Sequence, residues 1–396
     1  MKSVVAFISL AFLGCVVIGA QSRSDKVSIS GRPAVTKQAA GAGITPAAQN
    51  QIGAAVDKGA KWLASVQGTD GGWGQDGGAS SHNRPSESLE SKSNDVANTA
   101  LAALALLRAG NQYRPNIERA IAFILQKIEA SPTDGLSITD VKPTQIQRKL
   151  GPYIDTFLAS MLLAQVEGTF AGSGKARVRS GLEKCVAKIE RNQMRDGSWN
   201  IGGGWAPILG TSLASRSLYE ASKNGVKVDQ EVMARADAYT VNSQKGGGGV
   251  GAGSGVGSTA ESVTVKADGI ARSGAATDAG VALYRDAQAL EQLSRTEADR
   301  RKNSQEIANI NSKLTDLRFV EGYGSIGGEE FFSYLNISDS LKRTGGKEWK
   351  EWSSKITQKI LKLQNNDGTW AGHHCITGRV AVTSAAILNL MPNHEN

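Results

Sequence analysis

From residue 51 onward the chain alternates two kinds of apolar pattern. In the first, Ile52, Val56, Ala60, Leu63 and Val66 recur at spacings of three and four, while Lys58 and Lys61 lie off that stripe. This spacing predicts an amphipathic helix on the outside of a core, ended by the Asp70-Gly71-Gly72 turn. In the second, residues 95–107 within SNDVANTALAALALLRAG are small or apolar on nearly every side. Such a stretch predicts a helix buried among other helices, with Asn94 or Asp95 as N-cap and Gly110 as stop.

The outer-then-inner alternation continues down the chain. Residues 114–129 and 153–166 form the second pair, 175–193 and 210–222 the third, and 228–243 and 276–293 the fourth. Residues 297–317 and 331–343 follow, then 347–364 and 379–391. The turns Asp70-Gly71, Asp134-Gly135, Asp196-Gly197, Glu321-Gly322 and Asp367-Gly368 mark the ends of the outer helices. Asp70 and Asp367 are 297 residues and five steps apart, about 59 residues per repeat, enough for two helices and two loops. An inner helix that is apolar all round can be covered only by other inner helices. The pattern therefore predicts an all-α (α/α)6 toroid, with six inner helices inside an outer ring.

Three of the outer helices end in one phrase. Residues 67–73 read Gln-Gly-Thr-Asp-Gly-Gly-Trp, residues 193–199 Gln-Met-Arg-Asp-Gly-Ser-Trp, and residues 364–370 Gln-Asn-Asn-Asp-Gly-Thr-Trp. With Lys58-Gly59 and Trp62-Leu63 ahead of the first, Gln67, Gly71 and Trp73 resemble the Gln-Trp repeat of squalene-hopene and other triterpene cyclases. Gln193 with Trp199, and Gln364 with Trp370, repeat its second half. The resemblance spans about residues 50–392 and reaches the wider terpene cyclase and prenyltransferase repeat superfamily. It implies that each Gln caps a helix end, stacks on its Trp and ties neighbouring outer helices together. It also implies where chemistry would sit, and there this chain departs from its relatives. The Asp-X-Asp-Asp motif with which cyclases protonate an alkene or epoxide is absent from the sequence. At the places of the prenyltransferase zinc ligands stand Ser333-Tyr334 and Val382, and the Gly-Cys-Gly-Glu-Gln of complement thioester toroids is absent too.

Composition changes the picture at the two ends of the chain's business, export and binding. Residues 1–20 place Lys2 before an unbroken apolar run ending in Ile-Gly-Ala, the pattern of a secretory signal peptide. The expectation is an exported protein, periplasmic or secreted. A lipid anchor on Cys15 is the rival, disfavoured because Phe12-Leu13-Gly14 is a poor lipobox. Residues 21–48 read as a flexible leader and 49–396 as one toroid domain, with the glycine-rich stretch 245–273 inserted in the fourth repeat. That insertion lacks the Gly-Lys-Ser/Thr of a phosphate-binding loop. Loss of Lys2 lowers the formal charge from +8 to +7, and basic and acidic residues alternate along the helices, so no nucleic-acid partner is expected. Nor is a membrane span expected after removal of the signal. Two remaining cysteines, Cys185 and Cys375, make no disulfide framework.

All six inner helices would begin at one mouth of the ring, and the candidate residues are those predicted to lie there. They are Asp95, Tyr153, Asp155, Asp278, Tyr334 and Arg379, with Trp205 as a loop anchor. Asp95, Asp155 and Asp278 also stand where N-caps stand, and capping is the plainer role for each. His373, His374 and Cys375 carry zinc's preferred ligand types, and Glu329 or Glu330 could complete a set. Adjacent residues seldom all reach one ion, however, so no metal or other cofactor is expected. The functional expectation is a non-catalytic toroid whose apolar central cavity takes an isoprenoid or other lipid, or whose rim holds a protein partner. The alternative is a divergent enzyme using the same cavity, an isoprenoid cyclase or transferase or a polysaccharide-degrading toroid.

Overall fold

The computed structural model describes residues 46–76, 94–139, 145–199, 207–245, 274–321, 327–373 and 376–392. Its helices follow the predicted alternation. The first pair is α1 (Pro46–Ser65) and α2 (Val96–Ala109); the second is α3 (Arg114–Ala130), a short α4 (Gln145–Leu150) and α5 (Ile154–Val166). Then come α6 (Gly172–Arg191) with α7 (Pro207–Lys223) and α8 (Gln230–Lys245) with α9 (Gly274–Leu293). The fifth outer position is split among α10 (Glu297–Lys302), α11 (Ser304–Lys313) and α12 (Leu317–Glu321), ahead of the inner α13 (Gly328–Thr344). The last pair is α14 (Gly346–Lys362) and α15 (Arg379–Leu390). The predicted single helix over 297–317 breaks at Asn303, whose side chain donates to the carbonyls of Asp299 (2.9 Å) and Leu293 (3.3 Å) and so ends one helix where the next begins. The first helix, α1, starts at Pro46, inside the stretch 21–48 that the sequence suggests as leader. The expected signal segment with Cys15 and the glycine-rich stretch beyond Lys245 lie outside the described residues.

The inner helices pack in a closed cycle. Each of α2, α5, α7, α9 and α13 contacts the next, α13 contacts α15, and α15 returns to α2. Outside them α1 meets α14, and α3 meets α6. The fold is an all-α toroid. Residues 96–106 of α2 and 328–341 of α13 are buried without exception. On α1 the predicted stripe is buried at Ile52, Val56, Ala60 and Leu63.

Ring closure rests on the Gln-Trp turns, and all three have one geometry. Gln67 Nε2 donates to the carbonyl of Gly71 in its own turn (2.8 Å) and to that of Asn116 in α3 (2.9 Å). Gln193 spans Gly197 (3.0 Å) and Val232 of α8 (2.9 Å); Gln364 spans Gly368 and Ala55 of α1 (2.9 Å each). The indole Nε1 of Trp73, Trp199 and Trp370 donates back to Leu63 (2.8 Å), Ile189 (2.7 Å) and Ile360 (2.7 Å), taking one of the carbonyls left over at a helix C-terminus. Glycine is required in this turn for two reasons. Gly197 sits at φ 92°, and a Cβ there would lie 2.2 Å from the Arg235 carbonyl oxygen of the neighbouring outer helix.

The second turn has neither Gln nor Trp, and cations from α6 take their place. Lys184 Nζ donates to the carbonyls of Ile128 (2.7 Å) and Ser131 (2.6 Å), Lys188 Nζ to Gly135 and Ser137 (3.0 Å each), and Arg191 to Thr133 (2.9 Å). These acceptors lie in and just beyond the last turn of α3, where positive charge is favoured. Lys188 is buried, and burial lowers its pKa.

The clasp of Gln364 is the one that joins the last outer helix to the first. Gln364→Leu removes two donated bonds and leaves the carbonyls of Ala55 and Gly368 without them, which should cost about 1–3 kcal/mol. Urea denaturation of the variant should show a lower midpoint with the fold retained by circular dichroism; an unchanged midpoint would remove the clasp from the account of closure.

Candidate functional site

Every outer helix returns the chain to the same end of the ring, so the N-termini of the inner helices gather there. Asp95 is the N-cap of α2: its Oδ1 accepts from Asn98 N (2.9 Å) and its Oδ2 from Asn98 Nδ2 (2.8 Å). Asp155 lies in the first turn of α5 yet caps its neighbour, accepting from Ala97 N of α2 at 3.0 Å. Gln147 of α4 bridges the two, with Nε2 3.3 Å from Asp95 Oδ1 and 3.1 Å from Asp155 Oδ2. Both carboxyl groups are buried. Burial pushes the Asp95 pKa up to about 6; burial and then the charge of Asp95 push Asp155 up to about 7. The helix N-terminus and four donors, Ala97 N, Asn98 N, Asn98 Nδ2 and Gln147 Nε2, offset that penalty only in part.

Around this pair the mouth is floored by side chains from four connections. Gln145 N donates to Gln75 Oε1 (3.3 Å), and Gln145 Oε1 accepts from Thr377 N (2.9 Å). Arg379 opens α15, with its N–H on Asp76 Oδ1 (3.0 Å), its Nε 3.5 Å from the same oxygen, and its guanidinium stacked 5.1 Å above the Trp62 ring. Glu329 Oε2 accepts from Ile376 N (3.3 Å), while its buried Oε1 has no hydrogen-bond partner among the described residues. Glu330 caps α13 through Gly327 N (2.8 Å) and accepts from the Tyr284 hydroxyl (3.0 Å).

The remaining sequence candidates divide. Tyr153 is half-buried at the entrance to α5. Tyr334 does not face the mouth: its hydroxyl donates to Val320 of α12 (2.7 Å) and its ring packs edge-on against Trp352 of α14, so it points to the outer layer. Asp278 belongs to α9, but its side chain lies outside what is described, as do Trp205, His374 and Cys375. His373 is exposed. Among the described residues no three His, Cys, Asp or Glu side chains gather as a metal site would need.

The sequence reading missed a second polar centre nearer the other end of the inner helices. Asp339 of α13 pairs with Arg216 of α7 and lies 3.8 Å from Arg108 of α2. These are the fifth, third and first inner helices, and side chains from three alternate members of a six-ring can meet only on its axis. Arg216 also donates to Asn336 Oδ1 (3.1 Å), and Arg108 to the Leu388 and Met391 carbonyls (3.2 and 3.0 Å) at the end of α15. Beside them Glu291 of α9 binds Arg295 (2.8 Å) and lies 3.8 Å from Arg343. Burial raises the Asp339 pKa, but the charges of Arg216 and Arg108 outweigh it and hold the group below its usual range. The apolar central cavity expected from the sequence is thus crossed, at this level, by buried charge.

Two measurements follow. The carboxyl pair has folded pKa values above the unfolded value, so its contribution is fully favourable below about pH 4 and is lost as pH rises through about 7. Asp155→Asn should therefore lose less stability than the parent between pH 5 and pH 8 in urea titrations, and equal slopes would contradict the assignment. At the axis, Asp339→Leu strands Arg108 and Arg216 and should cost roughly 3–5 kcal/mol, with much of it recovered when Arg216→Leu is added.

Residues 36–135 match the family model of the squalene-hopene cyclase C-terminal domain. Over 70 residues the chain is 37% identical to a squalene-hopene cyclase of Bradyrhizobium diazoefficiens, an alignment covering 18% of this chain and 10% of that enzyme. The chain thus matches only about a tenth of its relative's length. No solved structure matches it. The matched stretch contains the first Gln-Trp clasp, and two later clasps share its hydrogen bonds, so these are repeats of the squalene-hopene cyclase type.

Proposed function

We propose that this chain is a binding toroid which receives a polar group, from a small ligand or a partner protein, at the mouth where the inner helices begin, and that it does not cyclise isoprenoids. The observation that supports this reading is the axial contact of Asp339 with Arg216 and Arg108. A chain of isoprene units needs a continuous apolar sheath, and here it would meet three charged groups that cannot be desolvated further without loss of their partners. The lipid occupant anticipated from the repeat type is accordingly the less favoured one. The missing Asp-X-Asp-Asp motif points the same way.

A divergent enzyme is the second reading, favoured by Asp95 and Asp155. Two buried carboxyl groups with raised pKa values can retain a proton near neutrality, which is the state a general acid needs. Incubation with squalene and with prenyl diphosphates, followed by extraction and mass spectrometry, separates the two. No cyclised product and no stoichiometric co-purified lipid is the expected result. A product whose formation stops in Asp155→Asn, with helicity unchanged, would establish the enzyme reading instead.

A further inference from the structure

One arginine of the axial centre is only half used. Arg108 stands in the last turn of α2, at the end of the ring opposite the mouth, and its side chain keeps 10% of its surface exposed. A guanidinium group can hold an oxyanion along either of two edges by paired hydrogen bonds, and here the edges differ. Nη1 donates to the carbonyls of Leu388 (3.2 Å) and Met391 (3.0 Å) and is the atom 3.8 Å from Asp339. On the other edge, formed by Nε and Nη2, Nε is buried without a hydrogen-bond partner, and every hydrogen bond of the group among the described residues runs from Nη1. A buried charged donor left unmade is unfavourable. An anion with two oxygens on one side would satisfy both nitrogens of that edge at once.

A second cation stands beside it. Lys342 Nζ, from the last turn of α13, donates to the carbonyl of Pro392 (2.9 Å), the residue after the Met391 that Arg108 holds. The two side chains thus converge from α2 and α13 on consecutive carbonyls at the end of α15. Their charges meet there: burial, opposed by Asp339 and reinforced by Arg108, lowers the Lys342 pKa to about 8. Of the acids whose charge Arg108 feels, Asp339 is bonded to Arg216, and Glu220 acts through its charge without a hydrogen bond to Arg108. The carbonyl ends of the surrounding helices repel anions, so an anion here would depend on these two cations.

We propose that Arg108 and Lys342 form a site for a small oxyanion, a phosphate or a carboxylate, bound side-on to Nε and Nη2 of Arg108 where the inner helices end. The site goes beyond the functional reading above, because it lies at the opposite end of the ring from the mouth, and it stands or falls independently of what enters there.

Inorganic phosphate and acetate, each titrated into the full chain with ionic strength held constant by sodium chloride, are the probes; calorimetry and the urea midpoint read the binding. At least one of them should bind saturably and raise the midpoint, and the tighter of the two identifies the class of anion. Arg108→Lys keeps the charge but loses the two-nitrogen edge, and should weaken binding at least about tenfold. Lys342→Gln leaves Arg108 and its carbonyl bonds in place and should weaken binding about threefold. Arg318→Lys, at an arginine whose side chain is 93% exposed, should leave binding unchanged. The site is disproved if neither anion acts beyond chloride at equal ionic strength, or if Arg108→Lys binds as the parent does. Should Arg108→Lys fail to fold, unchanged binding in Lys342→Gln disproves it alone.

Discussion

Six inner helices that all run the same way stack six dipoles side by side, and this is the constraint the structure has to satisfy. Each helix end carries roughly half a unit charge, positive at the N-terminus and negative at the C-terminus. The chain answers with carboxylates at one end of the ring and guanidinium groups at the other. Asp95, Asp155, Glu329 and Glu330 stand in the first turns or caps of α2, α5 and α13. Arg108 and Arg343 stand in last turns, and Arg295 follows α9. Where a helix lacks its own counter-charge, a neighbour lends one: α15 has no basic residue in its last turn, and Arg108 of α2 donates to its carbonyls. The acid pair and the axial arginines are two answers to one electrostatic problem, before either has any function.

That reading bears on what the toroid can hold. A buried inner helix was expected to be apolar, and α2 is. By contrast α13 is as deeply buried and carries Ser333, Asn336, Ser338, Asp339 and Ser340. Its polar groups are occupied by partners across the ring, as with Asn336, which donates to Ser212 of α7 at 3.1 Å. An interior built this way sets paired polar groups across the ring in place of a continuous apolar lining.

The fold was legible because its signals are local. Apolar spacing of three and four marks each helix within one or two turns of its observed end, and the Gln-Trp phrase names its own hydrogen bonds. The site was legible only in pieces. Asp95 and Asp155 could each be recognised as caps, but nothing in their spacing says that Asp155 caps the other's helix or that Gln147 lies between them. Arg216 and Asp339 are 123 positions apart in the chain and meet only because the ring closes. Lys184 and Lys188 read as surface charge, since a lysine that binds carbonyls looks in sequence like one that binds water. Tyr334 failed for the opposite reason: it begins near the mouth, but the turn of the helix carries its ring outward.

The tie between Gln364 and Ala55 has a consequence for how the molecule comes into being. Its two halves are 309 residues apart, and α2 packs on α15 across the same closure. During synthesis the first hairpin must therefore wait for α15 before this contact of α2 can form. Long-range closure of this kind slows folding and prolongs exposure to aggregation. A truncation that removes only the last hairpin, α14 and α15, should thus harm the first hairpin as much as its immediate neighbour.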